Sequence, residues 1–483
     1  MAALRAHAVA LAPPRAALPR RRKACAARAA ADEGGCPVLR TPRHTRRGWR
    51  GELSFTAEPG AVQAEILAGE PLASGNWMTM RANFVGDAEL ARAVLATQAE
   101  DFNVSNPPHF KHLLGSDNLG LLDEPRHGEL RAALAPAFTP GRVADAQPRL
   151  AALAAARVDA WAAAGRVAAW HDDIKLLTLH IMTEVITGVR LDEAALRQLA
   201  KDFSAVSSGL AFPIPIELFG LTPFGKAMRG RRAVERLLAA QVAAYRAAEA
   251  GGAPQAPSLL QDMMQARLSN GEPLSAACLA DNFVGLLIAG HDTTASSLCT
   301  ALYHLAASPP ALAALRTEAD ATAAAHGGDG VTAAALADMP YAEAVLREAW
   351  RLKPVVPVVG REAKRDVALG PFAIKAKQRT FVALNTITSG RAGTWAAAPD
   401  AAVFRPERWL AGAPGAAEAV QQQMPFGAGK RMCLGAALAW AEAKTVLALV
   451  ARRLDFKVDQ QSAKWVDFPF PQVAMDAVCA PRR

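Results

Sequence analysis

Over most of the first two-thirds of the chain, apolar residues recur every three or four positions, the spacing that lines up one face of a helix. In DAELARAVLATQ (Asp87–Gln98) the run opens on an aspartate able to accept from the free amides of a first turn, so a helix is expected there. The same period predicts helices over Arg126–Ala135, Val143–Ala163, Asp172–Thr187, Glu193–Ser207, Phe224–Ala248, Ser258–Arg267, Ser275–Ala306, Pro310–Ala325 and Tyr341–Leu352. Phe212–Ile216 (FPIPI) interrupts them as an apolar loop, because each proline removes a donor and restricts the residue before it. Over Val355–Thr386 the pattern changes to β-branched residues and short apolar runs between charged turns, which predicts two or three short strands. An irregular stretch, Pro399–Gln423, leads to a last long helix over Leu434–Leu454. The fold class is mainly α with small β-sheets, and with no Gly/Ser/Pro linker to divide it, residues 46–483 are expected to form one large domain.

The formal charge of +9 suggests a nucleic-acid partner until it is located. Residues 1–50 hold 12 Lys/Arg and 2 acids, and the rest of the chain 42 and 43, so no basic face for nucleic acid is implied. Met1–Ala31 has no acid, many alanines, the cluster Arg20-Arg21-Arg22-Lys23 and helix-breaking Pro13, Pro14 and Pro19. Residues 1–45 therefore read as an organelle transit peptide and leader, for a chloroplast or alternatively a mitochondrion, against the blander reading of a basic tail. No run of about 18 apolar residues is present to cross a bilayer, and at most a peripheral membrane contact is expected. Six cysteines, at 25, 36, 278, 299, 433 and 479, show no CxxC spacing, so no disulfide framework is expected.

One cysteine stands apart. In PFGAGKRMCLG (Pro425–Gly435) glycines flank a turn that ends in Cys433, immediately before a helix. Gly427 and Gly429 let the backbone approach a flat cofactor, Phe426 can pack on it, and Arg431 can pair with a carboxylate. The amides at the start of the following helix face the sulfur, and their positive field is expected to lower the thiol pKa. A cysteine in a helical protein is more often a small buried hydrophobe, and it is the surroundings that argue otherwise.

Residues 426–435 carry F-x-x-G-x-R-x-C-x-G at all five fixed positions, which resembles the haem-binding signature of the cytochrome P450 family. The resemblance spans roughly residues 45–480 and implies the P450 fold, a single helical domain around a buried haem b whose iron is held by Cys433. Ala289-Gly290-His291-Asp292-Thr293-Thr294 resembles the family's oxygen-binding segment. By that likeness Gly290 opens a groove for dioxygen, and Asp292 with Thr293 is the acid–alcohol pair that passes protons. A threonine in an apolar helix also commonly bonds back to the carbonyl four residues earlier, which is compatible with a bulge there. Glu348-Ala-Trp-Arg351 resembles the family's E-x-x-R, with Arg408 as its third member. A lone pair of this kind on a surface is worth little, so it speaks for the fold and not for chemistry. His127-Gly-Glu-Leu-Arg131 resembles the helix that holds the haem propionates, with His127 where many relatives have Trp, and Arg361 resembles another propionate partner.

The resemblance implies an O2-dependent monooxygenase that draws electrons from NADPH through a separate redox partner. A ferredoxin with its reductase suits a plastid. The segment FPIPIELFGLTPFGKAMRGRR and LLIAGHDTTASSL resemble retinoic-acid hydroxylases and their sterol- and brassinosteroid-oxidising relatives. Apolar residues at expected pocket positions, Val355, Val356, Val358, Val359, Leu286, Ala289 and Phe468–Pro471, suit a small lipophilic substrate, retinoid, apocarotenoid, carotenoid or sterol-like. The same residues taken singly read as core. The chain is expected to act as a monomer. Two other readings stand beside the monooxygenase. One is a haem-thiolate isomerase or dehydratase of the allene oxide synthase type, whose known members typically lack the helix threonine and enlarge the cysteine loop. The other is a non-catalytic haem sensor, for which no appended domain is present to pass on a signal.

Overall fold

The computed structural model describes residues 69–482 apart from 78–79, 211–214, 252–257, 329–330, 385–394, 396–397 and 467–469, together with residues 43–44, 63, 66 and 67. The leader up to 42, most of the FPIPI loop, 389–394 of the loop before Pro399, and Phe468 and Pro469 lie outside the described residues. In chain order the first helices are α1 (Ala88–Arg92), α2 (Phe110–Leu114), α3 (Arg126–Leu134), α4 (Pro140–Ala164), α5 (Trp170–Thr187), α6 (Glu193–Leu210) and α7 (Pro223–Ala250). They are followed by α8 (Leu259–Gln265), α9 (Ala276–Ala307), α10 (Pro309–His326), α11 (Ala333–Ala337), α12 (Pro340–Leu352), α13 (Ala416–Gln422) and α14 (Ala436–Arg453).

The long periodic segments are helical, and the caps account for where each begins. Thr139 accepts from the Arg142 amide and Pro140 takes the first helical position, so α4 starts three residues ahead of Val143. Asp87 caps α1 through the Glu89 and Leu90 amides at 2.9 and 3.0 Å, as its position predicts. That helix does not run to Gln98 as expected: it ends at Arg92, and Ala93–Thr97 widens into a π turn lying against the cysteine loop.

Among its described residues the strand region holds four strands, not two or three: β6 (Val359–Ala363), β7 (Val367–Leu369), β8 (Phe372–Ile374) and β9 (Arg379–Val382). Of these, β6 and β9 join β1 (Arg43–His44), β2 (Leu72–Trp77), β3 (Met80–Val85) and β4 (Phe102–Val104), which the sequence pattern did not disclose. The six-stranded sheet has the order β1-β2-β3-β9-β6-β4, and β7 pairs with β8. β3 runs parallel to β9, with Phe84 opposite Phe381, and β4 sets Val104 opposite Arg361. The stretch Pro399–Gln423 is less irregular than expected, containing the 3₁₀ turn Pro406–Trp409 and α13. A second sheet, β10-β13-β5 (Leu454–Val458, Ala477–Pro481, Arg166–Val167), closes the far end, and Lys464–Val466 pairs with Gln472–Ala474.

The main core lies between α4, α5, α9, α12 and α14, where Trp161, Trp170, Phe283, Leu298 and Val446 are buried together. Trp161 and Trp170 meet edge to face at 5.4 Å, a packing that large aromatic side chains favour. Among the described residues no single helix is long and apolar enough to cross a membrane. α9 is apolar because it runs through this core. The loop 425–435 is held between that helical core and the six-stranded sheet.

Candidate active site

The cysteine loop is built by its glycines. Gly427 and Gly429 have φ of +72° and +68°, the left-handed region that L side chains avoid. A Cβ on Gly429 would sit 2.4 Å from the Leu95 carbonyl oxygen in the π turn. The Cys433 amide donates to the Phe426 carbonyl at 2.8 Å, closing the loop on itself. Behind it, Phe426 meets Trp350 edge-on at 5.4 Å and Trp440 at 5.9 Å, so its ring buttresses the loop from the core side. Trp350 is fixed in turn by its indole N–H on Ser297 Oγ at 2.8 Å. α14 begins at Ala436, two residues later than expected, and leaves Cys433 at its threshold.

Cys433 opens onto an internal cleft while standing deep in the molecule. Burial pushes its thiol up; the Gly435 amide and the Arg131 guanidinium pull the other way without prevailing. The expected net lowering is therefore not what the protein environment produces. Coordination to a metal ion deprotonates a thiol, so an iron bound at this sulfur would favour the thiolate.

Three cations converge beside the sulfur. Arg361 is buried on β6, its guanidinium held down to about 10 by burial and by Arg431, and within hydrogen-bond reach it meets its own Gly360 carbonyl at 2.9 Å. Arg431 is lowered by burial, with Arg131 adding repulsion and Asp123 (3.7 Å) and Glu124 opposing it. His127, on α3 with Arg131, is buried with Nδ1 2.9 Å from Glu124 Oε1, and burial lowers its pKa, with Arg431 and Arg131 adding to that. Three guanidiniums that repel one another around two carboxylates call for further negative charge. A haem, with two carboxylates on one edge and an iron for the sulfur, fits this set. Arg131, Arg361, Arg431 and His127 could hold its propionates and Cys433 its iron.

Across the cleft runs α9. Its Ala289 is exposed and Gly290 and Thr293 partly exposed, amid neighbours that are buried, so this turn lines an internal space. Thr293 Oγ1 donates to the Ala289 carbonyl, the back-bond that an apolar helix favours. The helix is unbroken from Ala276 to Ala307, with no bulge. Gly290 serves helix packing: a Cβ there would lie 2.1 Å from Met182 Cε on α5, so its bare side turns to α5 and does not of itself open a groove. Asp292 points away from Thr293, toward α5 and α6. Its carboxylate accepts from Ser207 Oγ, with Lys175 Nζ at 4.0 Å and His291 Nε2 at 3.8 Å. Ser207 and Lys175 carry no motif that a sequence could have flagged.

The E-x-x-R network is fully buried. Glu348 accepts from Arg351 Nε and Nη2 at 2.8 Å each, Arg408 Nε at 3.0 Å, the Arg405 amide at 3.0 Å and Trp409 Nε1 at 2.8 Å. Arg351 also donates to the Ala401 carbonyl at 2.7 Å and Arg408 to that of Asp400 at 3.0 Å, which ties the segment 400–409 to α12. It is not the surface pair that spacing alone would suggest.

These features define a haem-thiolate protein. The chain belongs to the cytochrome P450 family, whose sequence model matches residues 70–478. It is similar to cytochrome P450 135B1 of Mycobacterium tuberculosis, at 30% identity over 358 residues covering 73% of this chain and 71% of that protein. A self-sufficient cytochrome P450 monooxygenase, CYP505E3 of Aspergillus terreus, is 35% identical over 199 residues, 40% of this chain and 18% of that protein. Among solved structures, retinoic acid-bound cyanobacterial CYP120A1 shares the fold with a TM-score of 0.80 at 23% identity, over 92% of this chain and all of that one. The protein is a cytochrome P450 monooxygenase, an oxidoreductase that uses haem, dioxygen and electrons supplied by a redox partner to act on a lipophilic substrate.

Proposed function

We propose that this chain hydroxylates or epoxidises a retinoid, apocarotenoid, carotenoid or sterol-like molecule in the chloroplast (alternatively the mitochondrion). It works as a monomer with haem b, on electrons from NADPH relayed by ferredoxin and its reductase. The substrate class is supported by apolar side chains at positions expected to form a pocket wall: Val355, Val356, Val358 and Val359 are half-buried in the segment entering β6, with Val355, Val359 and Val358 packing on three different core clusters, and Leu286 and the open Ala289 lie on α9. Such a wall suits a long apolar ligand oriented by few polar contacts. The likeness in fold to a cyanobacterial relative with bound retinoic acid supports the retinoid member of that class. The acid-free, Arg- and Ala-rich start of the chain supports the plastid.

Haem, when bound, supplies the oxygen activation and insertion into a C–H or C=C bond. Cys433 would hold the iron, and Arg131, Arg361, Arg431 and His127 would hold and orient the propionates. Phe426 keeps the loop in place, Thr293 would hold a proton at Oγ1 on the partly exposed face of α9, and Asp292 would be the acid of the pair, its carboxylate turned to Ser207, Lys175 and His291. The test is an optical titration of the ferric holoprotein with all-trans retinoic acid. A saturable low- to high-spin shift supports the retinoid reading, and an unchanged band in a protein with intact thiolate ligation overturns it. Rapid conversion of a lipid hydroperoxide without dioxygen or reductant would replace the oxygenase by the dehydratase.

A further inference from the structure

The stripe of α9 that faces the cleft continues past it. Ala289, Thr293 and Ser297 follow one another at helical spacing on one side of the helix. Each hydroxyl bonds back one turn, Thr293 Oγ1 to the Ala289 carbonyl and Ser297 Oγ to the Thr293 carbonyl at 2.9 Å. Ser297 donates in that bond and so has a lone pair to offer, which takes the indole N–H of Trp350 at 2.8 Å. Both side chains are buried. An indole donates and cannot accept, so its arrival leaves the serine proton committed to the Thr293 carbonyl and fixes that end of the cleft-facing turn.

The indole ring itself packs against the cysteine loop. It meets Phe426 edge-on at 5.4 Å and Trp440 of α14 at 4.8 Å, and the Phe426 carbonyl takes the Cys433 amide at 2.8 Å. Trp350 therefore joins the carbonyl of Thr293, on one wall of the cleft, to the loop that carries the sulfur, on the other. Its own helix is anchored, because Glu348 and Arg351, which flank it in α12, are locked in the buried network described above. Trp350 occupies one of the unspecified positions of E-x-x-R, so this link belongs to the tryptophan of this chain and not to the motif.

We propose that Trp350 is a positioning residue, a strut that sets the separation between the Cys433 sulfur and the Ala289–Thr293 turn of α9, the two walls between which haem is held. A strut of this kind makes each wall sensitive to a change made at the other. The inference rests on Cys433 as the iron ligand and is independent of the choice of substrate.

The test compares substrate-free wild-type holoprotein with Trp350→Phe, Ser297→Ala, Ser297→Thr and the double variant Trp350→Phe/Ser297→Ala. Two rates are measured on the reduced protein under carbon monoxide. Release of carbon monoxide reads the α9 wall, and decay of the thiolate-type band in dilute urea reads the cysteine wall. Trp350→Phe and Ser297→Ala are each expected to change both rates by about two- to tenfold, the worth of one neutral hydrogen bond. The double variant should go no further than the larger single change, because both substitutions remove the same bond. Ser297→Thr keeps the hydroxyl and should stay within about twofold of wild type. If Trp350→Phe altered only the decay and Ser297→Ala only the release, the walls would be independent and the proposal overturned. Unchanged rates with a lowered urea midpoint would overturn it too, by making the pair a packing contact alone. Should Trp350→Phe not fold, the effect of Ser297→Ala on the decay decides by itself. A wild type with no thiolate-type band would remove the ligand assignment beneath the proposal, and the proposal with it.

Discussion

Replacing Glu348 by glutamine tests how the fold supports the cysteine loop. Two carboxylate oxygens, fully buried, accept five hydrogen bonds, from Arg351, Arg408, Trp409 and the Arg405 amide. Glutamine has nearly the same shape, but it turns one acceptor into a donor facing other donors and removes the negative charge between two buried guanidiniums. The nearest remaining acid, Asp400, is 3.6 Å from Arg408 and partly exposed. Breaking a buried ion pair by removing one partner costs about 3–5 kcal/mol, a large fraction of the roughly 5–15 kcal/mol that holds a domain folded. The loss should be felt first in the segment 400–409, which is tied to α12 by these groups and leads into the cysteine loop. The assay is urea unfolding followed by tryptophan fluorescence, with the haem-to-protein ratio measured on the purified protein. The expected outcome for Glu348→Gln is a midpoint lowered by the equivalent of about 3 kcal/mol or more, an unchanged slope, and a reduced haem content. A loss below about 1 kcal/mol with full haem would show that the network behaves like a surface pair and would refute the argument.

Arg361→Met should leave the haem-free protein as stable as wild type or more so, because it removes a buried cation that Arg431 repels, while haem is lost faster to an acceptor such as apomyoglobin. Slower loss would contradict the propionate assignment. Gly429→Ala should reduce haem incorporation and cost about 1–3 kcal/mol, since φ is +68° and a Cβ would strike the Leu95 carbonyl; full incorporation with native stability would count against the loop geometry. Glu442 in α14 is fully buried, neither carboxyl oxygen has a hydrogen-bond partner, and burial alone raises its pKa well above the usual carboxylate range. The folded protein therefore keeps the proton that the unfolded chain gives up near pH 4.5. That contribution to stability is whole below the unfolded value and is lost as pH rises toward and through the folded one. Glu442→Gln should gain on wild type in urea midpoint as pH is raised from 5 to 8, and parallel pH profiles would overturn this.

The helices were legible because apolar spacing and capping residues agree: Asp87, Thr139 and Ser275 each hold a first turn through a side-chain oxygen. The hairpin β2–β3 was not, because LASGNW has neither β-branched residues nor apolar alternation and is a strand through its pairing with Met80–Val85. Cys433 and its neighbours were legible as a motif because local backbone geometry demands glycines at fixed offsets. The surplus of guanidiniums was less so, since Arg131, Arg361 and Arg431 come from α3, β6 and the cysteine loop and meet only in three dimensions. Spacing placed Glu348 three residues from Arg351 but could not reveal that both are buried. It named Asp292 and Thr293 as a pair, yet successive residues on a helix point about 100° apart, so Thr293 faces the cleft and Asp292 faces α5 and α6. The thiol was expected to be lowered by helix amides, and burial proved the larger effect.

The most direct test of the central claim is the absorption spectrum of the reduced holoprotein under carbon monoxide, for wild type and for Cys433→His. A red-shifted haem band that is characteristic of thiolate ligation in the wild type, and lost in Cys433→His with haem retained, is the predicted result. A wild-type band of the histidine-ligated kind, or a thiolate band that survives the substitution, would contradict the assignment of Cys433 as the ligand.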